Sequence, residues 1–394
     1  MMIQAVLGNP NHPEYGVATI PFSVPHDQYA HCMELLEALE IGDAVKTDCK
    51  VEKIDSFYTV LKRAEMLTVN VEELNYLAKR LDSFDTGEAA QFQAMAHKLE
   101  LFELKDLINL TFCYQQTTVI TDFSDLDAVG RDHYMNLHGG SASVDGLNAL
   151  DGKETARQLI ESDSGTITPY GVVYDNGMKL EPVYDGRFFP CYYYEPNAIT
   201  VAVTSKAEPE DTEHITWLFL PMIQEEVDRA LLRGGITDPA DARLRLEDSQ
   251  LPNEVDVLLD MEYETLFDLN ELAAATDGLS NADMEKLGAV VMLAKPKSAA
   301  QIKNLVESLD LFDFAPGAHT PQEYGKYMIQ QSGHFDYDEN LDAFYDYEKY
   351  GTERTNEEDG MFTGRGYIAY KGYTSLAEIM DGNQSSRIEM GGMA

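Results

Sequence analysis

The chain matches itself at a constant offset of 195 residues, so whatever fold it adopts must accommodate two copies of one unit. Leu74-Asn75 and Leu77-Ala78 in LNYLA meet Leu269-Asn270 and Leu272-Ala273 in LNELA. Asn109-Leu110 meets Asn304-Leu305, and Gly130-Arg131 meets Gly325-Lys326. Gly165, Thr168, Gly171 and Gly177 meet Gly360, Thr363, Gly366 and Gly372. Glycine marks backbone geometry that a side chain would forbid, so the recurrence of glycines carries more weight than the modest identity between the copies.

Within each copy the pattern predicts short strands, then helices, then strands. QAVLGN and GVATIPF read as short strands of an opening hairpin or meander, followed by a helix in HDQYAHCMELLEALE and a strand or extended segment in DCKVEKIDSF. VEELNYLAKRL places Leu74, Leu77, Ala78 and Leu81 on one helical face. Helices follow in GEAAQFQAMAHKLE, ELKDLINLTF and SDLDAVGRDHYMNLH, the last with Ser124 as its expected N-cap, and YGVVYD reads as a strand. Residues 178–198, rich in proline and aromatics, read as a connector packed on the body. The pattern then restarts. ITVAVTSK and ITWLFLP are strands, and IQEEVDRALLRGG is a helix with a glycine stop. LFDLNELAAATDGL, NADMEKLGAVVMLA, SAAQIKNLVESL and TPQEYGKYMIQQ are helices. The expected layout is a first unit at 1–177, the connector at 178–198, a second unit at 199–380 and a flexible tail at 381–394.

Charge is the compositional outlier. The 394 residues include 69 acidic and 29 basic side chains, a net charge of −40 with a pI near 4.3. Residues 1–200 carry −17 and residues 201–394 carry −23, so this is no acidic tail. Such a surface repels phosphates and argues against direct binding of nucleic acid, but it attracts proteins that bind DNA. Four cysteines without a C-x-x-C pair read as reduced thiols of a cytoplasmic protein. The opening MMIQAVLGNP has no basic stretch leading into an apolar run, so a secreted precursor is not expected. Nor does any apolar stretch reach membrane-spanning length.

Catalytic and metal motifs are not found. DYDENLD at 336–342 opens like a calcium loop, but Leu341 stands where the glycine belongs and Tyr347 where the bidentate glutamate belongs. His133 and His138 are five residues apart, off one helical face, and the second copy has Met328 and Gly333 there. No G-x-S-x-G, phosphate loop or dinucleotide fingerprint occurs, and Gly364-Arg365-Gly366 reads as a hairpin turn. No cofactor or metal is expected. What remains is the charge itself. Carboxylates three or four residues apart on a helix stand about 5–6 Å apart, a pitch able to imitate a nucleic-acid backbone.

The charge concentrates in DAFYDYEKYGTERTNEEDGMFTGRGYI, residues 342–368, with seven carboxylates against three bases. YDYEKYG, followed by an acidic segment and GMFTGRGYI, resembles the C-terminal signature of ArdA-type antirestriction proteins, in which D-Y-x-x-Y-G precedes a G-x-F strand and turn. LFDLNELAAATDGLSNADMEKLGAVV, PQEYGKYMIQQSG and ITWLFLPMIQEEVDRAL extend the resemblance over about 199–372. Residues 3–177 resemble a diverged second unit. There LDGKETARQL keeps Asp151 at the position of Asp346 but has lost the tyrosines and the Tyr-Gly pair, and Arg157 stands opposite Thr352.

The resemblance implies an elongated, multi-domain α+β chain of two tandem units. Each unit would have a small N-terminal α/β subdomain, a helical middle and a C-terminal α+β subdomain. It implies a non-enzymatic mimic of duplex DNA, carried by conjugative elements, that occupies the DNA groove of type I restriction-modification enzymes. It also implies either a monomeric pseudo-dimer or a homodimer. The expected phosphate surrogates are Asp336, Asp338, Glu339, Asp342, Asp346, Glu348, Glu353, Glu357, Glu358 and Asp359. Tyr345, Tyr347, Tyr350, Gly351, Gly360 and Gly366 are expected to build the motif, the tyrosines packing rather than touching the target. The alternative readings are an acidic module against another DNA-binding defence or regulatory protein, and a hydrolase with an unrecognised site.

Overall fold

Alternation in the first residues sets the first sheet. Ile3, Ala5 and Leu7 are buried and pair across to Phe22, Ile20 and Ala18, so both strands turn the same face inward. The computed structural model describes residues 3–162, 164–193, 196–208 and 213–382. The chain forms two compact units. One comprises residues 1–195 with 212–216 and 223–237, and the other comprises 196–211, 217–222 and 238–394.

The first unit opens with β1 (Ile3–Gly8), β2 (Val17–Phe22), α1 (Tyr29–Glu37), β3 (Cys49–Asp55) and β4 (Thr68–Val69), whose strands lie in the order β2-β1-β3-β4. Three helices follow: α2 (Val71–Asp82), α3 (Thr86–Lys98) and α4 (Leu104–Leu110). Leu74, Leu77, Ala78 and Leu81 of α2 are all buried, as their spacing predicts. Asn70 caps α2 by accepting from Glu73 N at 3.1 Å, and Asp85 with Glu88 forms a capping box on α3. The unit closes with β5 (Thr118–Ile120), α5 (Leu126–Leu137), α6 (Val144–Ala149), α7 (Gly152–Ser162), β6 (Thr166–Thr168) and β7 (Gly171–Tyr174), its sheet ordered β5-β7-β6. Asp125, not Ser124, caps α5. The Asp125 carboxylate accepts from Asp127 N and Ala128 N, while the Ser124 hydroxyl is drawn to Asp122.

The described part of the connector has no regular secondary structure and packs on this unit. Tyr184 is fully buried, and Phe189 and Tyr192 lie against the core.

In the second unit, β8 (Ile199–Ser205), β9 (Thr216–Leu220) and β10 (Ala242–Ser249) form a sheet ordered β10-β8-β9. Between β9 and β10 runs α8 (Gln224–Arg233), and Gly235, at φ +81°, supplies the expected glycine stop. Although α8 falls within the second copy by sequence, it belongs to the first compact unit. Its Arg229 bonds Glu72 and the Gly42 carbonyl. Arg233, only 5% exposed, donates to the carbonyls of Ala44, Arg187 and Gly186 and to Asn70 Oδ1, with Phe189 4.3 Å from its guanidinium.

Then come α9 (Asn253–Asp256), α10 (Leu266–Thr276), α11 (Asn281–Ala294) and α12 (Ala299–Val306). They are followed by β11 (Phe312–Pro316), α13 (Pro321–Gln330), α14 (Tyr347–Glu357), β12 (Asp359–Thr363), β13 (Gly366–Tyr370) and α15 (Leu376–Met380), with the last sheet ordered β11-β13-β12. Of the expected tail at 381–394, residues 383–394 lie outside the described residues.

Considered separately, the units share local devices as well as element order. Asn75 Oδ1 accepts from Val24 N at 2.9 Å, and Asn270 Oδ1 accepts from Met222 N at 2.8 Å. Asn109 holds the backbone of Tyr184, and Asn304 holds the carbonyl of Met380. Thr168 Oγ1 donates to the Gly171 carbonyl and Thr363 Oγ1 to that of Gly366, each at 2.8 Å. Gly171 and Gly366 sit at φ +129° and +142°, which excludes side chains there.

Candidate functional site

The acidic, tyrosine-rich segment occupies the C-terminal subdomain of the second unit, where α13 and α14 pack as a close pair between β11 and β12. A Cβ on Gly351 would lie 1.8 Å from the Pro321 carbonyl oxygen, and one on Gly325 would lie 2.1 Å from that of Tyr347. The helices therefore approach backbone to backbone, which Gly351 of the Tyr-Gly pair and Gly325 together permit. The core beneath is aromatic: Tyr324 and Tyr367 are buried with their rings 4.2 Å apart, and Tyr350 and Phe362 pack against them. Tyr324 donates to Glu358 Oε2 at 2.7 Å, and burial followed by this carboxylate pushes its phenol well above the ordinary range.

The first unit keeps this architecture with other residues. A Cβ on Gly130 would meet the Gly152 carbonyl oxygen at 1.8 Å, and one on Gly152 would meet that of Asp127 at 2.4 Å. At the 195-residue offset Ala156 stands opposite Gly351, and Gly152 stands opposite Tyr347. The core around it is aliphatic, with Ile120, Val129, Ala156 and Leu159 beside Tyr174. Asp151 and Asp346 both cap their helices, through Glu154 N and Lys349 N. Arg157 lies 3.9 Å from Glu154 in an exposed pair. His133 is buried against the Thr118 hydroxyl, 2.9 Å from Nδ1, and so is a packing residue.

The ten acidic candidates divide into two groups. Asp336, Asp338, Glu339, Asp346, Glu348, Glu353, Glu357 and Asp359 are exposed, whereas Asp342 and Glu358 are half-buried. Asp342 Oδ1 accepts from Tyr347 Oη at 2.6 Å, Tyr337 Oη at 2.7 Å and Gln330 Nε2 at 2.8 Å. These phenols, Tyr347 first, hold its carboxyl below the usual range. Glu358 is bound by Arg354 and Tyr324. Asp338 and Asp346 also cap, Asp338 through Asn340 N at 2.9 Å, yet both remain exposed. The calcium-like segment forms a short 3₁₀ turn, Glu339–Phe344.

Tyr345 is half-buried, with its ring 5.8 Å from Tyr347 and 5.9 Å from Tyr337. Gly360 and Gly366 lie on the hairpin strands β12 and β13, where a Cβ would strike the Ile368 and Ala315 carbonyl oxygens. Several contributors escape the sequence reading, which places Arg365 only in a hairpin turn. Gln330 and Tyr337 hold Asp342, and Arg365 in the hairpin turn bonds Glu254 at 2.9 and 2.8 Å and Glu285 at 2.7 Å. The signal for Tyr337 is its place inside the acidic run; Gln330 and Glu254 carry none.

This glycine-closed helix pair, feeding a hairpin and carrying exposed carboxylates, lies within a span that is similar to a known family. Residues 212–369 match the family model of the antirestriction protein ArdA. The match runs from just before β9 to the penultimate residue of β13, so it contains the whole acidic subdomain but does not extend into the first 200 residues. No curated protein matches the chain. Among the described residues, no helix is long and apolar enough to cross a membrane.

Proposed function

We propose that the protein is an antirestriction factor whose surface carboxylates stand in for DNA phosphates in the DNA-binding groove of a type I restriction-modification enzyme. The observation that carries this reading is the display of eight exposed carboxylates on one subdomain inside the ArdA-matching span. Glu353 and Glu357 are one turn apart on α14, a spacing of about 5–6 Å, while Asp336, Asp338 and Glu339 extend the acidic face through the preceding loop. Binding of this kind needs no nucleophile, cofactor or metal. It needs a field opposite in sign to a groove built for about one phosphate charge per 1.7 Å of duplex.

We further read the chain as two tandem ArdA-like units, a covalent pseudo-dimer. The shared element order and the paired Asn75/Asn270 and Thr168/Thr363 bonds support this.

The test is a titration of the purified protein into a type I enzyme cutting its cognate plasmid, at two salt concentrations, with duplex DNA as competitor. The expected result is inhibition near stoichiometric ratios, relieved by competitor DNA and weakened by salt. A folded protein that leaves cleavage untouched at large excess refutes the proposal.

A further inference from the structure

The acidic face is not uniformly polar. Leu341 and Phe344 lie three residues apart on the 3₁₀ turn Glu339–Phe344, a spacing that eclipses side chains in a 3₁₀ helix, and they are 47% and 84% exposed. Phe335, 50% exposed, lies on the same loop with its ring edge-on to Tyr350 at 5.8 Å. The loop is held in place from within, because Asp342 on the same turn binds Tyr337, Tyr347 and Gln330. An exposed phenylalanine on a pre-organised turn loses little entropy on binding.

We infer that Leu341 and Phe344 form the apolar anchor of a protein-docking surface whose occupant is a basic protein face with an apolar recess. The inference rests on the proposed function and names what the carboxylates alone would lack, a site of short-range affinity. Charge selects the occupant. Asp336, Asp338, Glu339, Asp346 and Glu348 are all exposed and lie within five residues of Leu341 or Phe344 in sequence, and residues 331–348 contain no lysine or arginine, Lys349 being the first base to follow. A second copy of this chain, at −40, would meet the patch with like charge. An apolar centre inside a charged rim is the usual anatomy of a binding hot spot. The corresponding stretch of the first unit has Gly146 and Ala149 at these positions, so the anchor belongs to the second unit.

The test compares the full-length protein with Phe344→Ala and Leu341→Ala/Phe344→Ala variants in two arms. In the first, dissociation constants are measured against a type I enzyme over a salt series. The expected result is about tenfold or greater weakening with an unchanged salt slope, because an apolar contact releases no counterions. Variants that bind as tightly as the parent overturn the inference. The second arm uses a fluorescent amphipathic Lys/Leu peptide, with sedimentation of the protein alone as a companion measurement. If no type I enzyme binds, the proposed function fails, and the peptide still decides the patch. Weaker peptide binding by the variants upholds the patch, and equal binding refutes it. Self-association of the parent that Phe344→Ala abolishes assigns the patch to a second copy and overturns the inference. Because Phe344 is so exposed, the variants should keep the parent's circular dichroism and melting temperature.

Discussion

Arg365 and Glu254 form a two-pronged ion pair in the second unit, and the same two positions 195 residues earlier, Tyr170 and Thr59, meet in a hydroxyl–hydroxyl hydrogen bond of 2.7 Å. The two contacts occupy equivalent positions and differ in chemistry. Arg365 also reaches Glu285, so one guanidinium ties the hairpin turn to α9 and α11. Substituting Arg365 by alanine should destabilise the second unit by about 1–3 kcal/mol, whereas Tyr170→Phe should cost the first unit about 0.5–1.5 kcal/mol. Urea unfolding of the two variants measures the difference. Arg365 holds the Glu254 carboxyl below its ordinary value, so the pair's contribution is present above about pH 4.5 and is lost as pH falls through the depressed value.

Gly351→Ala should be the most damaging small substitution in the acidic subdomain. By helix propensity alone alanine would gain about 1 kcal/mol, but its Cβ would sit 1.8 Å from the Pro321 carbonyl oxygen, a backbone atom that cannot swing aside. A net loss of about 2 kcal/mol or more is expected, with lost inhibition, and a combined melting and cleavage assay checks both. Gly152→Ala should show the same sign in the first unit.

The carboxylates should separate by role. Neutralising Asp336, Glu339 or Glu348 singly should weaken inhibition by less than about fivefold, and neutralising all three should compound the loss and flatten the salt dependence. Asp342→Ala should behave differently, lowering the melting temperature because three donors lose their acceptor. Salt-series inhibition curves alongside melting curves distinguish display from scaffold.

His133 should make the first unit sensitive to mild acid. Burial pushes its imidazole below the ordinary value, so the unfolded chain takes up the proton first. The stability this gives is complete above about pH 6.5 and declines as pH falls towards the depressed value. Urea midpoints at pH 7.5 and 5.5 should differ for the parent and differ less for His133→Gln.

The helices of each middle segment are legible in the sequence because their apolar residues recur at helical spacing, as Leu74, Leu77, Ala78 and Leu81 do, behind clear caps. α14 is not legible that way. YEKYGTERTNE is polar on most sides and contains a glycine, and it is ordered by its contact with α13 rather than by propensity. β10 hides behind the arginines and acids of ARLRLEDS, and β11 ends in a proline. The motif glycines were readable as geometry, but their partners, the carbonyls of Pro321, Tyr347 and Ala315, are distant in sequence or carry no side-chain signal. Positions 195 residues apart also differ in pairs, which comparing one position at a time does not reveal. Val129 and Ala156 pack together in the first unit where Tyr324 and Gly351 stand in the second, 195 residues on.

The placement of α8 bears on how such a protein can be divided. Arg229 and Arg233 complete the first compact unit, yet they are encoded well past residue 195. An expression clone ending there would leave the carbonyls of Gly42 and Ala44 and the carboxylate of Glu72 without their cationic partners. A cut at residue 195 divides the sequence in two, but the first folding unit does not end there.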